Sequence, residues 1–178
     1  SYSHLNPVKY TDPDGKETQV IITKDYLIEF KVPFTAYKVK VGQYGSHAAV
    51  RVDNPSGSPT LYDPAGSYNP IDPEQGGPVR GSGDFFDGKT ADLESYVKYQ
   101  QSLGSDVEIL RFATTPEQEK EIAKRIEASG GAAPCYCAQE TSSTLSGVGP
   151  FKDLQPTMRP GKLSDQLKDI TPPPKVEL

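Results

Sequence analysis

Thr115-Pro116-Glu117-Gln118 is the segment that leaves this chain the fewest choices. Its threonine can accept from the third helical N–H, its proline suits the first helical position, and its glutamine can bond back to the threonine backbone. Ile122 and Ile126 then fall four apart on one face and Gly130-Gly131 stops the run, so a helix is expected over 116–128. A second helix is expected over 91–102, where Leu93, Tyr96, Val97 and Gln100 share a side before Gly104. Segments 19–22, 26–30, 36–41, 46–52, 60–63 and 106–112 are β-branched or aromatic enough to be strands. Gly42 and Gly45 predict a hairpin between the third and fourth of these. The class expected is α+β.

With 178 residues, 34% of them hydrophobic, the chain suffices for one compact core. Its 16 glycines and 17 prolines gather between the elements, predicting long ordered loops, the longest between Pro70 and Gly88. That loop has no Gly-Lys-Ser/Thr ending, so phosphate is not its expected ligand. Asp84, Asp87 and Asp92 lack EF-hand spacing and read as a solvated acidic loop. The formal charge of −5 gives no general attraction to nucleic acid, which is not an expected partner, or to anionic lipid. No run of about 18 apolar residues could span a bilayer, and the first residues lack the basic-then-apolar pattern of a secretory signal, so the chain is not expected to export itself. After Pro150 the sequence predicts mostly loop, one helix at 162–170 and a disordered Pro-rich end over 171–178.

Two cysteines and two histidines are all the chain offers for thiol chemistry. Cys135 and Cys137 are too close for an unstrained mutual disulfide, so free thiols are expected. Cys137 opens a helix-like stretch that puts Thr141, Thr144, Leu145 and Val148 on its own face. That face is one a core cysteine would also occupy. A helix N-terminus, however, lowers a thiol pKa, and the thiolate is the nucleophile. His47 is the histidine inside the body of the chain; period-two alternation sets it with Ala49 and Arg51, opposite Ala48, Val50 and Val52. Asp63, at the end of the next strand, is the best placed carboxylate to orient the imidazole. Backbone N–H groups at the helix start would form the oxyanion hole. Cys135, Cys137 and His47 would make at most three metal ligands, so neither metal nor cofactor is expected. Cys135 is the alternative nucleophile or a resolving thiol. A non-catalytic module whose Gly/Pro loops bind a partner is the rival from another class. A nuclease or ADP-ribosyltransferase built on Arg51, Arg80 or Glu140 finds no supporting spacing.

Asn6-Pro7-Val8-Lys9-Tyr10-Thr11-Asp12-Pro13-Asp14-Gly15 resembles the string that ends the Rhs/YD-repeat core of bacterial polymorphic toxins, with Lys16 where that family has a hydrophobic residue. The resemblance implies a junction over residues 1–16, an effector domain over 17–170, delivery into a target cell by a larger secreted carrier (type VI secretion among the routes), and a cognate immunity protein. Cys137, Ala138 and Leu145 resemble the Cys-Ala-x-x-x-x-x-x-Leu helix of the circularly permuted papain-like superfamily, relatives of the NlpC/P60 peptidases and lecithin retinol acyltransferases, with Tyr136 in place of the usual Asn. That likeness covers about residues 36–148 and implies a small antiparallel sheet packed on the Cys-bearing helix and one or two others. It implies hydrolysis or transfer at a carbonyl centre of a protein, peptidoglycan or lipid substrate, with Cys137, His47 and Asp63 as the catalytic residues.

Overall fold

The computed structural model describes residues 17–54, 57–72, 77–78 and 84–178. The Rhs-like string and the junction at 1–16 lie outside the described residues, as does Arg80. Among the described residues there are eight strands: β1 (Glu17–Lys31), β2 (Lys38–Val52), β3 (Thr60–Tyr62), β4 (Ile71–Asp72), β5 (Gly77–Pro78), β6 (Phe85–Asp87), β7 (Asp106–Ala113) and β8 (Lys175–Glu177). Four α-helices accompany them among the described residues: α1 (Leu93–Ser102), α2 (Pro116–Ser129), α3 (Cys137–Leu145) and α4 (Pro160–Lys168). Six strands form one antiparallel sheet in the order β6-β3-β2-β1-β7-β8, while β4 and β5 pair separately. The class is α+β.

Alternation divides the central strands between two cores. Val20, Ile22, Ala48, Val50, Val52 and Leu110 point to one face, where Ile122 and Ile126 of α2, Leu145 of α3 and Leu163 and Leu167 of α4 cover them. Ile21, Ala49, Leu61 and Ile109 point to the other, under Tyr96 of α1 with Tyr68 and Phe86. Burying a side chain of this size contributes about 1.5–3 kcal/mol, so both faces hold the sheet in place. The expected cap of α2 is present in full: Thr115 accepts from the Gln118 N–H, and the Gln118 side chain accepts from the Thr115 N–H.

Several elements differ from expectation, each for a local reason. The four short strands expected over 19–52 are two long ones, and the hairpin turns at 32–37, not at Gly42 and Gly45. Lys24-Asp25 and the two glycines break the apolar pattern without breaking the ladder. The 171–178 end is not wholly irregular: β8 pairs Ile109, Leu110 and Arg111 on the edge of β7, and Arg111 ties Glu17 to Glu177. The last helix begins two residues early because Pro160 takes a first-turn position, where its missing N–H costs nothing. Fully buried Glu108 of β7 meets both Lys24 and Lys168, which fixes α4 against the sheet.

Candidate active site

The imidazole stands just after a fault in the sheet. Pairing of β1 with β2 slips between Thr23/His47 and Lys24/Gly45, leaving Ser46 as an extra residue immediately before His47. A bulge of this kind bends the strand and re-aims the neighbouring side chain. Gly45 makes room for it, since a Cβ there would lie 2.6 Å from the Gly161 nitrogen at the start of α4.

Strand β3 parts from β2 beyond the Tyr62–Val50 pair, and α3 takes its place along the vacated stretch. Thr141 Oγ1 donates to the Ala48 carbonyl at 3.3 Å, while the Ala48 N–H lies where it lowers the Cys137 thiol pKa. Cys137 and Thr141 are one turn apart on the same face of α3. One helical turn therefore engages both backbone groups of the residue after His47, and this contact brings sulfur and imidazole together. The two side chains are near enough for each to shift the other's pKa.

Asp63 follows β3 directly and is 1% exposed. Its Oδ1 lies 2.6 Å from His47 Nε2 and accepts from the Tyr96 hydroxyl at 2.7 Å; its Oδ2 accepts from the Tyr68 N–H at 3.2 Å. Gln100 Nε2 donates to the Tyr96 oxygen at 3.0 Å, extending the chain of bonds along α1. Because Nε2 faces Asp63, the other ring nitrogen, Nδ1, is left for the thiol. The turn after Asp63 tolerates only glycine at position 66: a Cβ there would sit 1.9 Å from Asp63 Oδ2.

Charge is arranged to match. Burial acts to lower the His47 pKa, but the hydrogen bonds to Asp63 and Cys137 and their negative charge overcome it and raise the value to about 10. Burial acts to raise the Cys137 pKa, but the His47 hydrogen bond and charge, with the Ala48 and Ala138 N–H groups, bring it below the ordinary 9.0. The two shifts run in opposite directions and both favour the charged forms, thiolate for Cys137 and imidazolium for His47. The start of α3 has no side-chain cap, so its first N–H groups remain available to a developing negative charge.

All three residues singled out in the sequence thus come together. Cys135 does not join them; it is exposed, with a left-handed φ of 72°, on the approach to α3. Asp84 departs from the solvated loop expected of it: it is 9% exposed and accepts from the N–H groups of Ala65 and Ala132, tying the turn after Asp63 to the segment leading into α3. Asp87 accepts from Thr60 and Asp92 caps α1. Tyr96 and Gln100 were legible only as part of an apolar helical stripe; their i,i+4 spacing with polar tips on a buried face was the available signal.

A pocket of about 510 Å³ opens beside the imidazole, lined by Tyr26, Glu29, Tyr44, Ser46, His47 and Gln100 among others. Cys137 is 5% exposed. Among the described residues no group of three or more His, Cys, Asp and Glu side chains is gathered as a metal would need, and no helix is long and apolar enough to cross a membrane. Comparison with protein-family models, with curated proteins and with solved structures finds no match for this chain.

Proposed function

We propose that this chain is a cysteine-dependent hydrolase of permuted papain-like type, with Cys137 as nucleophile, His47 as general base and acid, and Asp63 as the group that orients the imidazole. The observation that carries the reading is the His47–Asp63 hydrogen bond at 2.6 Å beside the start of α3, with Cys137 and His47 acting on each other so that the thiol pKa is lowered and the imidazole pKa raised. A structural cysteine in an apolar core has its pKa raised by burial, the opposite of what Cys137 experiences.

In this reading the Cys137 thiolate adds to a carbonyl carbon, and the oxygen takes up the electron pair within reach of the N–H groups opening α3. The imidazolium of His47 gives its proton to the leaving nitrogen or oxygen as that bond breaks, leaving a thioester on Cys137 and a neutral imidazole. Water attacks the thioester as His47 removes its proton; the acid is released and the thiolate–imidazolium pair is restored. Asp63, holding Nε2, fixes the ring in the orientation both proton transfers need. The net acidic chain favours an amide in protein or peptidoglycan over a lipid ester as substrate.

Together with the Asn6–Gly15 string, the reading is of an Rhs-type effector that harms a target cell. Incubation of the full chain with p-nitrophenyl acetate tests the chemistry. About one equivalent of nitrophenol released in a burst, with an acetyl group on Cys137, is expected; a chain in which Cys137 stays unmodified, or in which Cys135 alone reacts, would overturn it. Expression in bacterial cytoplasm and, separately, periplasm tests the biology: growth arrest that Cys137→Ala abolishes is expected, and arrest that survives this change contradicts the mechanism.

A further inference from the structure

The outer half of the β1–β2 hairpin projects beyond the sheet. Strand β7 accompanies β1 only as far as the Asp106–Lys24 pair, and β3 accompanies β2 only from Val50 onward. Past those points the two strands run on together to Lys31 and Lys38 with no further strand beside them among the described residues. Alternation makes this arm two-faced. Cross-strand pairs Ile28–Val41 and Phe30–Val39 share one face, and Glu29–Lys40 and Lys31–Lys38 share the other. Ile28, Phe30 and Val41 are each at least half exposed, and at the tip Phe34 and Tyr37 stand almost wholly in solvent. Contiguous apolar surface of this sort on a protein marks a contact site.

Charge identifies the partner. From Phe30 to Val41 the arm carries three lysines and no acidic residue, on a chain whose formal charge is −5. Glu29, at the inner limit, pairs with Lys38 at 2.7 Å, and Lys40 lies 3.9 Å from Asp106 Oδ1 and over the Tyr26 ring at the root of the arm; Lys31 stands at the outer end of β1, next to the tip. Aromatic side chains at the tip, aliphatic ones on one face and ammonium groups on the other are what the boundary between anionic headgroups and acyl chains accepts. The open edges set the depth: unpaired backbone groups cannot enter hydrocarbon, so only the tip side chains reach the acyl region while the strands lie at headgroup level.

We propose that this hairpin is a membrane-docking arm that seats the protein on a bilayer containing anionic phospholipid, its tip inserted through Phe34 and Tyr37 and its lysines on the headgroups. This surface is separate from the Cys137 site and does not depend on the chemistry assigned there. The pocket reaching His47 is lined in part by Tyr26, Glu29 and Tyr44 at the root of the arm, so docking brings that pocket close to the membrane.

Co-sedimentation of the full chain with phosphatidylglycerol/phosphatidylcholine vesicles, against phosphatidylcholine alone, tests the assignment. Binding to the anionic vesicles that weakens as salt rises, and falls about tenfold or more in Phe34→Ser/Lys38→Glu, is expected. These positions lie outside both cores, and unchanged circular dichroism and Cys137 alkylation rates verify that the variant is folded. No binding to either vesicle, or equal binding by wild type and variant, overturns the proposal. So does a dimer seen by light scattering that the same variant dissolves, since the arm would then be a contact between copies of this chain.

Discussion

The two halves of the β1–β2 hairpin share one ladder and live in different surroundings. The inner half, including Val20–Ile22 and Ala48–Val50, is covered on both faces and carries His47 at its bulge. The outer half, beyond Lys24 and Gly45, has only its own two strands and exposes nearly every large side chain. The same alternating pattern thus yields reactivity at one end and adhesion at the other. Desolvation with fixed partners gives a histidine and a cysteine shifted pKa values, whereas exposed side chains of the arm keep their contact surface for something outside the molecule.

The largest effects are expected at the inner end of the hairpin. Cys137→Ala is expected to abolish acylation, a loss of about 10³-fold or more, while leaving vesicle binding intact. His47→Ala is next, lowering acylation at neutral pH by about 10²–10⁴-fold through loss of the proton carrier. Gly66→Ala sharpens the point without touching any reacting atom. The new Cβ would lie 1.9 Å from Asp63 Oδ2, so the carboxylate must move, and a displacement of this kind costs about 10²-fold in turnover, with KM little changed. Tyr96→Phe removes one donor to Asp63 and strands Gln100, and urea unfolding should register a loss of about 1.5–3 kcal/mol. At the outer end, Phe34→Ser should change unfolding free energy by no more than about 0.5 kcal/mol and leave Cys137 alkylation unaltered. A strong effect of the tip change on the thiol would mean that the two halves are not independent.

What was legible in the sequence follows the same division. Cys137 and His47 stood out because the chain has so few residues of either kind, and Asp63 because a carboxylate ending a strand beside a histidine-bearing strand has a short reach to it. Tyr96 and Gln100 were hidden, since a buried tyrosine at helical spacing has the same pattern whether its hydroxyl is used or not. The length of the arm was also hidden. Segments 26–30 and 36–41 read as strands, but Lys24-Asp25 and Gly42 to Gly45 hid that each runs on unbroken into the core strand beside it. Strand β8 was masked by Pro172-Pro173-Pro174, which precede it without interrupting it.

The claim on which the rest stands is that His47 holds the Cys137 thiol below its ordinary pKa. It is tested most directly by following iodoacetamide alkylation of Cys137 against pH, in a Cys135→Ser chain with and without His47→Ala. With His47 present, the thiol should titrate below its ordinary 9.0, so that the alkylation profile is displaced to lower pH than that of a free thiol. Acylation should then fail on the alkaline side as the imidazolium is lost near pH 10. Without His47, burial acts with less opposition, and alkylation should retreat to higher pH. Identical profiles in the two chains, with the thiol titrating at or above 9.0 in both, would contradict the account.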